Sequence, residues 1–113
     1  MDWEDIYLPD KPLHECGVFG IYNVDLHGMN VWEAAYYGLY ALQHRGQESA
    51  GIAVNEGGDV ECLKDMGLVN GAFDIHTLAN RKGKAAIGHV RYSTTGSSNR
   101  ENIQPLLVSY KKG

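Results

Sequence analysis

Apolar and polar positions recur with a readable period over most of the chain. In residues 17–23, Val18, Phe19, Ile21 and Tyr22 are interspersed with glycine, the pattern of a buried strand whose glycines let another backbone come close. Val31, Ala35, Leu39 and Leu42 then recur at helical spacing, with Trp32, Tyr36 and Tyr40 beside them as a packing stripe. Asn30 stands where an N-cap belongs, Glu33 completes a capping box, and Gly46 is placed to end the helix. Residues 51–54 and 60–63 are short apolar runs joined by Asn55-Glu56-Gly57-Gly58-Asp59, which predicts a hairpin of antiparallel strands. Residues 74–80 suit a short helix capped by Asp74, residues 84–90 a strand, residues 91–98 a Ser/Thr/Gly loop, and residues 106–110 a last strand. The order strand, helix, strand, strand, helix, strand, strand predicts an α+β architecture with a helix packed on a largely antiparallel sheet.

Residues 1–13 carry Pro9, Pro12 and four acids without a clean period, so they read as an extended or disordered leader. The 113 residues suffice for one domain or one piece of a larger one. Ten Lys plus Arg against fourteen Asp plus Glu, with no basic run longer than Lys111-Lys112, argue against a nucleic-acid partner. No stretch approaches the roughly 20 apolar residues of a membrane span. The acidic start Met1-Asp2-Trp3-Glu4-Asp5 is unlike a secretory signal, so no membrane partner and a cytoplasmic location are expected. Cys16 and Cys62, the two cysteines, are expected as free thiols. Neither they nor the five histidines form a Cys-x-x-Cys or His-x-x-x-His pair, so no metal site is expected.

Candidate chemistry gathers in three segments, each at the end of a regular element. The first is His14-Glu15-Cys16-Gly17-Val18-Phe19-Gly20-Ile21, where the polar leader gives way to the first strand. Were the Glu15–Cys16 bond cut, Cys16 would carry both a thiol nucleophile and an α-amine of pKa near 8, suited to general-base work. The others are Leu42-Gln43-His44-Arg45-Gly46-Gln47-Glu48-Ser49-Ala50-Gly51 and Gly88-His89-Val90-Arg91-Tyr92-Ser93-Thr94-Thr95-Gly96. A thiol, a guanidinium and several hydroxyls together suit attack on a carbonyl in a small polar substrate. Taken singly, each has a plainer account. Cys16 and Cys62 read as small buried hydrophobes, His44 and His89 as structural hydrogen-bonders, and Arg45 and Arg91 as salt-bridge partners. The 94–98 run lacks the Gly-Lys-Ser/Thr ending of a P-loop.

In order and approximate spacing, the three segments, with Gln104-Pro105-Leu106-Leu107 after them, resemble the glutaminase domain of the amidophosphoribosyltransferase family, class II glutamine amidotransferases with an N-terminal nucleophile. The resemblance covers about residues 14–110. It implies a four-layer αββα Ntn-hydrolase sandwich, represented here by its N-terminal portion. Residues 1–15 would be a propeptide removed at Glu15–Cys16, and residues 16–113 an incomplete glutaminase domain. Cys16 would be the nucleophile and Arg45 a positive charge close to it. Arg91 would hold the glutamine α-carboxylate, with Thr94 adding a hydroxyl contact.

The resemblance further implies that the parent enzyme passes ammonia to phosphoribosyl pyrophosphate, giving 5-phosphoribosylamine in the first step of purine synthesis. It implies a homo-oligomer with Mg and a 4Fe-4S cluster, whose ligands this chain does not hold. The family's oxyanion-hole Asn-Gly pair, its amine-binding aspartate and the phosphoribosyltransferase domain lie beyond residue 113, so the isolated fragment is expected to be inactive or nearly so. Two alternatives stay open: another class II amidotransferase with a different ammonia acceptor, or a non-catalytic binding or regulatory module on the same fold.

Overall fold

The computed structural model describes residues 16–22, 28–43, 47–92 and 103–108. In chain order the elements are β1 (Cys16–Tyr22), α1 (Val31–Leu42), β2 (Gln47–Glu56), β3 (Asp59–Met66), α2 (Val69–Ala72), α3 (Ile75–Leu78) and β4 (Ala85–Tyr92). The strands form one sheet in the order β1-β4-β2-β3, every neighbouring pair antiparallel. Helix α1 packs across one face, as the α+β reading expects.

The helix begins where the sequence said. Asn30 Oδ1 accepts from the Glu33 amide at 2.8 Å, and the Glu33 carboxylate accepts from the Asn30 amide at 3.1 Å, so both halves of the capping box are made. The Asn30 side-chain Nδ2 donates to the carbonyls of Leu78 and Arg81, each at 2.8 Å, which ties the α3–β4 connection to the start of α1. Val31, Trp32, Ala35 and Leu39 are buried against Ala50, Ile52 and Val54 of β2 and Ala86 and Val90 of β4. Tyr36 is buried with them, whereas Tyr40 departs from the expected packing stripe and is about half exposed.

Several boundaries differ from those the sequence predicts. Helix α1 ends at Leu42 rather than running on to Gly46, which lies outside the described residues. Gln43 turns extended there, and its side-chain carbonyl accepts from the Val69 amide at 2.9 Å. That contact helps start α2, a turn that the sequence did not announce. The hairpin turn is the expected one, with Gly57 and Gly58 at φ of 61° and 100° closing a two-residue loop. Its strands, however, run on to Gln47 and Met66 because β2, as an inner strand, is stabilised on both sides. The third helix is shorter than predicted and spans Ile75–Leu78, capped by Asp74. Strand β4 continues through Arg91 and Tyr92 instead of ending at residue 90. Residues 106–108 are not in a strand, and the rest of the predicted last strand lies outside the described residues.

The face opposite α1 is only partly covered. Ile103 is buried there, and Lys64 Nζ on β3 donates to the Ile103 and Pro105 carbonyls at 3.0 and 3.2 Å. A Cβ on Gly51 would lie 2.0 Å from the Gln104 carbonyl oxygen, so only glycine lets this segment sit on β2. Toward β1 the same face leaves Val18 (68 %), Ile87 (53 %) and Tyr22 (71 %) in solvent.

Candidate active site

Sheet register brings together two residues that are 75 positions apart in the chain. Antiparallel pairing of β1 with β4 sets Cys16 directly opposite Arg91, and pairing of β4 with β2 sets Arg91 opposite Ser49. Which face they occupy follows from their neighbours. A Cβ on Gly17 would meet Val90 and Leu42 at 3.0 and 3.4 Å, and Val90 belongs to the core beneath α1. Because side chains alternate along a strand, Cys16 and Arg91 project to the opposite face, the partly open one. Among the described strands β1 is at an edge of the sheet, and the Cys16 thiol is free and exposed.

Arg91 is held more closely. Its Nε lies 3.6 Å from Glu48 Oε1, with both side chains mostly shielded. Glu48 reaches it through an irregularity in β2: Gln47 opposes Tyr92 and Ser49 opposes Arg91, leaving Glu48 as an extra residue. Ser49 and Gln47 are buried, and Gln47 Nε2 donates to the Ser49 and Gly67 carbonyls at 2.8 and 2.6 Å. The sequence placed Glu48 inside a motif without giving it a role. Its one mark in the sequence is a carboxylate within the same motif as the candidate Arg45.

The neighbours on β4 shape the electrostatics. His89 is buried, and desolvation, reinforced by the Arg91 charge, lowers its pKa and favours the neutral imidazole. Tyr92 points to the α1 face, where its hydroxyl donates to the Leu42 carbonyl at the end of that helix. Burial raises its pKa, and nearness to Cys16 adds to the effect. The end of α1 therefore lies close to the Cys16 corner of the sheet. Cys62 is half-buried rather than a full core residue. Burial raises its pKa against the opposing influence of Lys64, and its Sγ lies 3.6 Å from the Pro105 carbonyl, consistent with an unreactive thiol.

Glu15, Arg45 and Thr94 lie outside the described residues. Among the described residues no three His, Cys, Asp or Glu side chains converge as a metal site would require. The two thiols lie on β1 and β3, opposite edges of the sheet and at least about 14 Å apart at ordinary strand spacing. The donor set therefore does not fit an iron–sulfur cluster. Among the same residues no helix is long and apolar enough to cross a membrane. An exposed thiol beside a shielded guanidinium, on a partly open face, can support nucleophilic attack on a substrate held by its own anionic group.

Comparison with known proteins bears on that chemistry. No family model matches the chain. The amidophosphoribosyltransferase of Synechococcus elongatus is 55 % identical over 105 residues, which is 93 % of this chain and 21 % of that protein. That of Mycobacterium bovis is 56 % identical over 104 residues, 92 % of this chain and 19 % of the relative. The chain thus spans about a fifth of the length of the curated relatives it matches. Among solved structures, glutamine phosphoribosylpyrophosphate amidotransferase from B. subtilis, complexed with ADP and GMP, superposes with a TM-score of 0.67 at 42 % identity, covering 84 % of this chain and 19 % of that one. A structure described as the allosteric regulatory enzyme of purine biosynthesis gives a TM-score of 0.63 at 45 % identity, covering 79 % and 18 %.

Proposed function

We propose that this chain, a homologue of the amidophosphoribosyltransferases over about a fifth of their length, carries the nucleophile and part of the glutamine site of a class II glutaminase domain. The observation that carries the reading is the register pair Cys16–Arg91, which sets a thiol and a guanidinium side by side on the partly open face. In this account residues 1–15 are a propeptide, and cleavage at Glu15–Cys16 gives Cys16 a free α-amine. With a pKa near 8, that amine accepts the thiol proton as sulfur attacks the side-chain carbonyl carbon of glutamine. Collapse of the tetrahedral adduct breaks the C–N bond, the amine returns the proton, and ammonia leaves a thioester on Cys16. Water then hydrolyses the thioester to glutamate and restores the thiol.

Arg91 serves as the carboxylate anchor, for which a planar guanidinium supplies two parallel donors. Thr94 adds a hydroxyl contact, and Arg45 provides positive charge close to the thiolate and the developing oxyanion. The ammonia goes to phosphoribosyl pyrophosphate, displacing pyrophosphate to give 5-phosphoribosylamine, in a part of the enzyme that this chain does not contain. The exposed apolar residues Val18, Ile87 and Tyr22 support the four-layer αββα arrangement, because a second sheet stacked on that face would bury them. The remainder of the enzyme would supply that sheet.

The test uses the protein made with the full length that its relatives have. Intact mass should show loss of the first fifteen residues, and Cys16→Ala should retain them and abolish glutamine hydrolysis. Retention of the leader in the parent protein, together with unchanged hydrolysis in Cys16→Ala, would overturn the reading.

A further inference from the structure

The irregularity in β2 has a specific effect on Arg91. Ala50, Ile52 and Val54 face the core, and regular alternation from them would send Glu48 to the α1 face, away from Arg91. The extra residue between Gln47 and Ser49 breaks that alternation, and the Glu48 carboxylate comes within 3.6 Å of Arg91 Nε on the other face. Gln47, only 6 % exposed, fixes the break from inside through its bonds to Ser49 and Gly67. The Gly67 amide donates to the Glu48 carbonyl at 2.6 Å, so the end of β3 holds the same spot. Hydrogen bonds to backbone carbonyls thus fasten the break that brings the Glu48 carboxylate to the guanidinium.

We infer that Glu48 is a positioning residue for Arg91, holding the guanidinium through Nε so that its two terminal nitrogens are presented to a second carboxylate beside Cys16. The inference rests on the reading of Arg91 as the anchor of the glutamine α-carboxylate. Its chemistry is that of the guanidinium fork. Glu48 pairs with the Nε side of the guanidinium at 3.6 Å, the two Nη groups suffice for a bidentate substrate carboxylate, and a guanidinium held by a fixed charge loses less ordering entropy when glutamine binds. The expected signature is a loss confined to recognition of the carboxylate, with the chemical step intact.

In the full-length enzyme, Glu48→Gln should raise KM for glutamine about tenfold, as expected when a shielded ion pair loses one of its charges, with kcat changed less than about twofold. Glu48→Asp, which restores the charge, should recover part of the loss. An analogue whose α-carboxyl is an amide should be a poor substrate for parent and variant alike and should show little further change. An unchanged KM makes Glu48 a bystander, and a lowered KM makes it a competitor that glutamine must displace; either overturns the inference. A parallel fall in kcat for both substrates, with a lowered melting temperature, marks a purely structural role and also overturns it. Arg91→Lys separates the two readings. If it raises KM while Glu48→Gln does not, only the positioning role fails, and if Arg91→Lys leaves KM unchanged, the carboxylate anchor fails first.

Discussion

Replacing Gly51 by alanine tests how residues 103–105 are seated on the sheet. The new Cβ would lie 2.0 Å from the Gln104 carbonyl oxygen and 2.7 Å from Pro105 Cδ. The first of these is a backbone atom and cannot rotate away. The chain then has two responses: β2 and the segment shift apart under strain, or the segment lifts and Ile103, now 1 % exposed, loses its burial. Overpacking and exposure of one isoleucine each cost about 2 kcal/mol, and whichever response is cheaper sets the effect. Lifting also removes the carbonyls that Lys64 and Cys62 contact, so the Cys62 thiol becomes more accessible and its pKa falls back toward the ordinary value. In a Cys16→Ser background, where Cys62 is the remaining thiol, denaturant unfolding should show a loss of about 2 kcal/mol, and a thiol reagent should modify Cys62 faster than in the parent. Unchanged stability with unchanged labelling would refute the packing argument.

Asn30→Ser keeps an N-cap acceptor but removes the amide donors to Leu78 and Arg81, so it should destabilise by about 1 kcal/mol, with Asn30→Ala losing about 1 kcal/mol more. Equal melting temperatures for Asn30→Ser and the parent would show that the two carbonyl contacts contribute nothing. Leu39→Ala, at a fully buried site against Gly88, should cost about 2–5 kcal/mol, read from denaturant midpoints at constant slope. The lowered pKa of His89 means that the unfolded chain binds its proton first as pH falls. The stability at neutral pH is therefore lost from the ordinary histidine value of about 6.5 downward, until His89 also protonates in the folded state. His89→Gln should flatten that slope in melts between pH 7.5 and 5.5, and an identical slope in the variant would rule His89 out as its source.

The parts legible in the sequence were those carried by local chemistry. Asn30 and Glu33 announce their capping box through three-residue spacing, and Gly57-Gly58 announces its turn through positive φ, so both could be placed without tertiary information. Elements that depend on distant partners leave no such local mark. Val69-Asn70-Gly71-Ala72 has poor helix composition, yet it makes a turn whose first amide is satisfied by Gln43, 26 residues earlier. By composition Arg91 and Tyr92 belong to the loop, because serine, threonine and glycine follow. They extend β4 because Cys16 and Ser49 flank Arg91 on the two neighbouring strands, and Gln47 opposes Tyr92. The motifs named Cys16 and Arg91 as candidates, but strand order alone makes them neighbours. Glu48 went unassigned for a related reason: a register irregularity decides which face a strand residue serves, and no periodicity in the sequence marks it.

The central claim is that Cys16 is the nucleophile for a glutamine-shaped substrate. The most direct measurement treats the protein made to the length of its relatives with a glutamine analogue bearing an electrophilic diazoketone in place of the side-chain amide, then locates the adduct by peptide mass spectrometry. The account predicts one adduct, on the sulfur of a Cys16 that begins its chain, blocked by excess glutamine and much reduced in Arg91→Lys. An adduct on Cys62, or labelling of Cys16 that glutamine does not protect, would contradict it.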